Sequence, residues 1–490
     1  MSIDYICNMN KRVLLHIILF VLIFGCNNTK DEKQVPFEKL SSDITGINFS
    51  NIITPNIETS ENLFDYDYFY NGSGVGIADI NNDGLKDVLF TANQQMNRLF
   101  LNKGNLTFED ITELSNINTK NKEWSSGVTF ADVNNDGWLD IYISQGGPYD
   151  SNSRKNLLLI NNQDLTFTEK AEEYGLDDNG ISTQSAFFDF DKDGDLDCVV
   201  MNENEFYGYD PISFFKKYEN KSVLMENSSH LYEQKEGKFI NITEKAGLLS
   251  PTFGLGLCIS DINNDNWPDI YIANDYYVKD AMYINNQDGT FTNQIKKSTK
   301  QISFYGMGVD IEDINNDNLS DIFVLDMASS DHVRSKTLMA SMNTSNFDLI
   351  TNKLDQHYQY MFNSLQLNLG NDKYHNISHQ LNIAKTDWSW AGLIFDYNLD
   401  GNEDIFVTNG YRKYGSDNDS RIRINETKKE YNNKVPVEMK KRLYDELPSE
   451  KLPNLLFKNE GDLKFKEVGN NSALNDPSFS NGAAYADLDN

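Results

Sequence analysis

The chain has 490 residues, a formal net charge of −31 and 39% hydrophobic residues. So acidic a chain excludes nucleic acid as a partner, which needs a basic face. Its six histidines are scattered, and no nucleophile elbow, zinc-binding helix or phosphate loop appears.

At the N-terminus, Lys11 and Arg12 precede an apolar run over residues 13–24. A dozen residues is short for a membrane span of about 20 and suits the apolar core of a signal peptide. The ending Leu22-Ile-Phe-Gly-Cys26 resembles a bacterial lipoprotein box. The resemblance implies a signal peptide over residues 1–25 and a lipid on Cys26, with anchoring at the outer membrane or cell surface. Phe24 departs from the pattern, so ordinary secretion stays as the alternative, and Met9 is a second candidate start. Residues 26–44 then read as a solvated tether.

From residue 45 onward the chain repeats an aspartate-rich nonapeptide, D-x-[DN]-x-D-[GN]-x-x-D, each copy preceded by an apolar run of the kind Gly-Val-x-Phe-Ala. The six complete copies begin at Asp79, Asp132, Asp189, Asp261, Asp313 and Asp396, and an unfinished seventh carries Asp487 and Asp489 at the end of the sequence. The seventh stops inside its motif, so the sequence reads as part of a longer protein. A motif recurring every 50 to 90 residues or so marks a repeat architecture, in which each unit buries its apolar face against the next.

The spacing has a coordination reason. Side-chain oxygens at positions 1, 3 and 5 of a tight loop converge, a carbonyl at position 7 joins them, and the carboxylate at position 9 closes the cage. Oxygen-only ligands in that number suit Ca²⁺, and no His or Cys stands at a ligand position. The candidate ligands are Asp79, Asn81, Asp83, Leu85 and Asp87 in the first loop, and Asp132, Asn134, Asp136, Trp138 and Asp140 in the second. The third has Asp189, Asp191, Asp193, Asp195 and Asp197, and the fourth Asp261, Asn263, Asp265, Trp267 and Asp269. Asp313, Asn315, Asp317, Leu319 and Asp321 form the fifth, and Asp396, Asn398, Asp400, Asn402 and Asp404 the sixth. Position 6 must turn with positive φ, which explains Gly84, Gly137, Gly194 and Gly401, and Asn266 and Asn318 tolerate the same conformation.

An EF-hand opens with the same residues but needs a bidentate Glu at position 12, where the first two loops have Phe90 and Ile143. The flanking GVGIAD and DVLFTAN read as strands, not helices. Asn-Asp-Gly alone would be an ordinary hairpin turn. A turn has no use for an acid at position 9, and all six complete copies keep it.

Between the loops lies a second repeat, seen in RLFLNKGNLTFEDIT from Arg98 and NLLFKNEGDLKFKEV from Asn454: two apolar runs around a polar turn. One unit thus holds four strands, and about seven such units predict an all-β propeller over residues 45–490. The segment TGINFSNIIT, residues 45–54, is a candidate first strand that helps close the ring. Insertions over 327–363 and 411–453 interrupt the rhythm and carry partly helical patterns. In the second, Pro436 suits a first helical turn, and Met439, Leu443 and Leu447 share one face. Insertions of that length sit on a rim and either carry specific function or pack on their own blade.

The alternating GVxFADxNNDGxxDIYV and NxLFxNxGxxxFxDxT units resemble the FG-GAP/VCBS repeats, the calcium-loop propellers also found in integrin α-subunit heads. YFYNGSGVGIADINNDG from Tyr68 and YGMGVDIEDINNDNLSDIFVLDM from Tyr305 are similar to cartilage-acidic-protein-like surface proteins of Bacteroidota, where an ASPIC/UnbV-type domain usually follows the propeller. The resemblance implies a fold firmly and a function loosely, because such propellers serve adhesion, glycan binding and occasionally catalysis.

The expected function is a calcium-binding extracellular module for a glycan or protein partner. The alternative is a polysaccharide lyase on the same propeller, whose dispersed basic residues would leave no short motif. Trp388 and Trp390 are either sugar-stacking or core residues, and His375 and His379 have metal-like spacing only on a helix. Cys198 and Cys258 lie in apolar strands and are buried thiols or an inter-blade disulfide.

Overall fold

The computed structural model describes residues 37–118, 124–338, 344–432, 434–470 and 472–489. The signal peptide, Cys26 and the first part of the tether lie outside the described residues. Among the described residues no helix is long and apolar enough to cross a membrane.

Each complete nonapeptide joins the first two strands of an antiparallel meander. Blade 1 comprises Val75–Ala78, Asp87–Phe90, Arg98–Asn102 and Phe108–Asp110. Blades 2, 3, 4 and 5 start at Ser125, Ser182, Gly254 and Val309 and have the same four-strand order. Blade 6 adds a short fifth strand, Met327–Ala328, against Asp387–Phe395. The innermost strands of blades 1 to 6 lie side by side in chain order.

The second strand of a blade, such as Asp140–Gln145, is buried along its whole length. Alternate side chains of a strand face opposite ways, so Ile141 and Ile143 enter the core shared with blade 1 while Tyr142 enters the core shared with blade 3. A strand packed on both faces reads as a continuous apolar run, which is why DIYIS does not alternate. Cores of the same kind lie between blades 3 and 4, 4 and 5, and 5 and 6. Cys198 belongs to the core between blades 2 and 3, whereas Cys258 is only partly buried and packs at the core between blades 4 and 5. Both are free thiols. Their side chains serve different blade interfaces, which excludes the disulfide and corrects full burial for Cys258.

Glycines set the distance between inner strands. A Cβ at Gly74 would stand 2.8 Å from Ser126 O, at Gly127 2.5 Å from Thr183 O, and at Gly308 2.2 Å from Trp390 O. The Gly of the Gly-Val pair is therefore required by close backbone approach rather than by an unusual φ.

The ring closes between blades 6 and 1 with pieces from both ends of the described chain. Ser480 N donates to Asn409 O at 3.0 Å, Tyr485 stacks on Phe395 at 4.5 Å, and a Cβ at Gly482 would stand 3.0 Å from Ser73 O. Residues 480–489 thus occupy the place of a seventh inner strand. The candidate strand at 45–54 forms no ladder. Its polar groups pair with blade 1 side chains, as in Thr54 N to Gln94 Oε1 at 2.7 Å, and Phe49 stacks on Phe90 at 5.0 Å. The segment covers blade 1 by side-chain packing, where a strand had been expected.

Both expected insertions contain helices, among them Asn418–Glu430 and Val437–Asp445, with Pro436 at the N-cap position of the latter, one residue ahead of the first turn where it was expected. Of the expected face, Leu447 is buried and Met439 and Leu443 are half-buried, while Tyr444 is the most buried residue there. A third insertion went unread in the sequence: Pro211–Lys217 and Lys221–Glu226 stand between the second and third strands of blade 3. Its Phe214 is fully buried against Phe253 and Tyr277.

Candidate functional site

The six complete loops fold alike because their own side chains replace the missing ladder. In every one, the position-6 N–H donates to the position-1 carboxylate, from Asn318 N to Asp313 at 2.6 Å up to Gly194 N to Asp189 at 3.1 Å. The position-7 N–H donates to the position-5 carboxylate at 2.8 to 3.2 Å. Position 6 has positive φ in all six, as expected, from 65° at Asn318 to 98° at Gly194. Position 4 does too: Asn82, Asn135, Lys192, Asn264, Asn316 and Leu399 lie between 56° and 61°. The signal for it was the second Asn of Asn-Asn-Asp, which the ligand argument left idle.

The position-9 carboxylates are buried and held from two sides. Asp87 accepts from Ile80 N at 3.0 Å and from Asn102 N, at the end of the third strand, at 2.8 Å. Asp140, Asp197, Asp269, Asp321 and Asp404 accept the corresponding third-strand N–H at 2.7 to 2.8 Å. Burial pushes Asp87, Asp140 and Asp404 up to about 6, and Asp197, Asp269 and Asp321 up to about 7. The N–H bonds oppose that rise, and the neighbouring acids add to it. A positive charge placed beside such carboxylates would favour their ionised form.

The residues fit a hard cation. In the third loop, oxygens of Asp189, Asp191 and Asp197 lie within 4.8 Å of one another. Asp189 Oδ1 and Asp195 Oδ1 are buried there without a hydrogen-bond partner, a cost that a bound cation would remove. In the sixth loop Lys458 Nζ sits 2.9 Å from Asp400 Oδ2 and would have to give way. Of the seventh pair, Asp487 and Asp489, the Asp489 N–H points to Asp487 Oδ1 at 3.3 Å.

In blades 1, 2, 4 and 6 the Asn ending the third strand also straps neighbouring blades together. Asn161 Nδ2 donates to Ile80 O of the first loop at 2.8 Å, Asn285 Nδ2 to Phe190 O of the third at 2.8 Å, and Asn459 Nδ2 to Ile314 O of the fifth at 3.0 Å. In blade 5, Tyr374 OH reaches Ile262 O at 3.2 Å. Asn102 Nδ2 donates to Leu488 O at 3.0 Å, which gives residue 488 the register of position 2 in a seventh loop.

Seven inner segments surround an axial cavity of about 270 Å³, from Gly74-Val75 round to Gly482-Ala483. Tyr66, Trp124 and Glu203 line it too. Tyr66 OH bonds Glu203 Oε2 at 3.1 Å and Tyr68 OH bonds Asp275 Oδ2 at 3.0 Å.

A family profile described as an FG-GAP-like repeat matches residues 79–143 and 261–324, each running from one complete loop through the next and into the strand that follows it. The chain carries FG-GAP-like repeats. The matched segments contain four of the six nonapeptides, those beginning at Asp79, Asp132, Asp261 and Asp313. Cartilage acidic protein 1 of Xenopus tropicalis is 29% identical over 170 residues, which are 34% of this chain and about a quarter (25%) of that relative's length. Among solved structures, an Agrocybe aegerita lectin that recognises non-reducing terminal N-acetylglucosamine has a TM-score of 0.43 at 14% identity, covering 86% of this chain and 85% of the lectin. The V. cholerae biofilm matrix protein Bap1 has a TM-score of 0.28 at 13% identity, covering 53% and 36%.

The other residues singled out in the sequence do not meet. His375 and His379 are both exposed, the first in a strand and the second against Phe362 at 4.5 Å. Trp388 is 7% exposed and stacks on Tyr411 at 4.4 Å, within the packing of blade 6, while Trp390 is half-buried, donates from Nε1 to Gly410 O at 2.6 Å and lines the axial cavity.

Proposed function

We propose that this FG-GAP propeller is a calcium-loaded module that presents a binding surface for a glycan or protein partner outside the cell, anchored by a lipid on Cys26. The observation that carries the calcium reading is the third loop, with three carboxylates converging and buried oxygens that no protein donor satisfies. The same backbone geometry in the other five loops extends it to about six ions. A protein that folds around weak calcium sites needs millimolar calcium, found outside cells and not in cytosol, which supports the surface location. A rigid ring with its acids on turns and long insertions on its rim suits recognition by loops on a scaffold.

The test uses residues 27–490. Bound calcium and Tm are followed from chelator to 10 mM Ca²⁺, and the loaded protein is then offered to immobilised acidic and neutral glycans. Binding of about six ions, a rise in Tm and retention of glycan unchanged are the expected results. No bound calcium and an unchanged Tm would sink the metal reading. Release of unsaturated sugars absorbing near 235 nm would replace the binding reading with a lyase.

A further inference from the structure

The loops do not sit on the ring as separate turns. Asn82, at position 4 of the first loop, donates from Nδ2 to Gly137 O, at position 6 of the second, at 3.0 Å. Asn264 makes the same bond to Asn318 O at 2.7 Å, and Asn316 to Gly401 O at 3.0 Å. In the third loop Lys192 takes the place of Asn and lays its Nζ 4.6 Å from the Trp267 ring centroid in the fourth. Each clip joins candidate ligands on both sides. Asn82 stands between Asn81 and Asp83, and the peptide it grips continues to Trp138 N, which donates to Asp136 Oδ1 at 2.9 Å.

The clips and straps together connect loops 3, 4, 5 and 6, and separately connect the seventh loop, loop 1 and loop 2. Loop 2 to loop 3 is the seam. Among the described residues Asn135 makes no such bond, and Gln234 keeps its amide within blade 3, donating to Leu196 O at 2.9 Å. At position 4 of loop 6 stands Leu399, 90% exposed, which has no amide to offer a next loop.

We propose that the calcium sites of the six complete loops are coupled through these amides and fill in two blocks, loops 3 to 6 as one and loops 1 and 2 as the other. The inference rests on the calcium reading above. The physical basis is ordering: an ion that fixes Asn81 and Asp83 also fixes Asn82, hence the Gly137–Trp138 peptide, and lowers the entropy the next ion must remove. Occupied neighbours should raise affinity by about fivefold or more.

The test is calcium titration of the chelator-treated protein by calorimetry, comparing Asn264→Gly with Asn135→Gly. Both residues have the same left-handed backbone, with φ of 59° and 58°, and glycine accepts it without strain, so the two variants differ only in whether a clip is lost. Equal Tm in chelator confirms that both fold, and hydrogen exchange in loops 4 and 5 during the titration gives a second readout. The expected result is a two-phase isotherm whose multi-ion phase loses steepness in Asn264→Gly, with loop 5 protected later than in the parent, while Asn135→Gly matches the parent. Calcium binding with a Hill coefficient of one in all three proteins would overturn the coupling and leave the calcium reading standing. No bound calcium in the parent would overturn both.

Discussion

The nonapeptide divides its acids between two tasks. Position 9 is buried and terminates two backbone donors, and an amide there keeps one acceptor, so Asp87→Asn is expected to destabilise the chelator-treated protein by about 1–3 kcal/mol in urea unfolding, the cost of one unsatisfied buried group. Asp83 is exposed, and Asp83→Asn should leave that stability within about 0.5 kcal/mol while removing one bound calcium. Elsewhere the decisive residue is His230. Its Nδ1 faces Asp178 Oδ2 at 2.5 Å and its Nε2 faces Met225 O at 2.9 Å. Both partners are acceptors, so the ring carries two protons. Burial works against that charge, but Asp178 and the carbonyl outweigh it and raise His230; Asp178, opposed by its own burial, falls to about 2 through His230. The His contribution is complete below about 6.5, the unfolded value, and disappears as pH rises through the raised folded value. The Asp contribution is complete above about 3.9 and disappears as pH falls toward about 2. Tm measured across pH should therefore show His230→Gln costing most between those limits, by about 3–5 kcal/mol for a broken buried pair, and less at alkaline pH.

At the scale of the element, a blade is a four-strand meander whose inner strand must pass its neighbour at backbone contact. Gly308→Ala would force a Cβ to 2.2 Å from Trp390 O, and the strands can part only by shifting a whole blade. The expected cost is about 1–3 kcal/mol or more, read by urea unfolding, with m unchanged if the ring still unfolds as one unit. The insertions show the opposite behaviour. Arg334 forms a two-bond contact with Asp387, at 2.8 and 2.6 Å, and also reaches Glu450, so it ties the insertion at 327–363 to the first strand of blade 6 and to the insertion at 411–453. These segments are part of the packed body, which limits how far they could move to meet a partner.

At the scale of the molecule, closure is the question that governs stability, because an open ring leaves an apolar blade face in water. Leu488 packs in the same cluster as Val88, Phe100 and Phe108 of blade 1, and Asn102 holds its carbonyl. Asn102→Ala is expected to speed hydrogen exchange at residues 481–489 well before exchange in blade 4 changes. The proposed calcium would act on the same scale. A Kd near 0.1 mM, of the order found in extracellular modules, would add about 2.7 kcal/mol per site at ~10 mM Ca²⁺.

Much of this was written in the chain order itself. Four strands per unit and the position-6 turn follow from local chemistry repeated six times, because a loop that hydrogen-bonds to its own carboxylates needs no distant partner, whereas the burial of the acid at position 9 depends on a third-strand N–H as far away as Asn459 is from Asp404. The helices at 211–226 escaped notice because their apolar residues serve Phe253 and Tyr277, far along the chain, and show no period of their own. Residues 45–54 have a strand's composition but find side chains, not a free strand edge, on blade 1. Which blades share clips, where the seam falls, and that both ends of the described chain meet between blades 6 and 1 are set by the curvature of the ring, which brings together residues as distant as Asn102 and Leu488 and which no local pattern encodes.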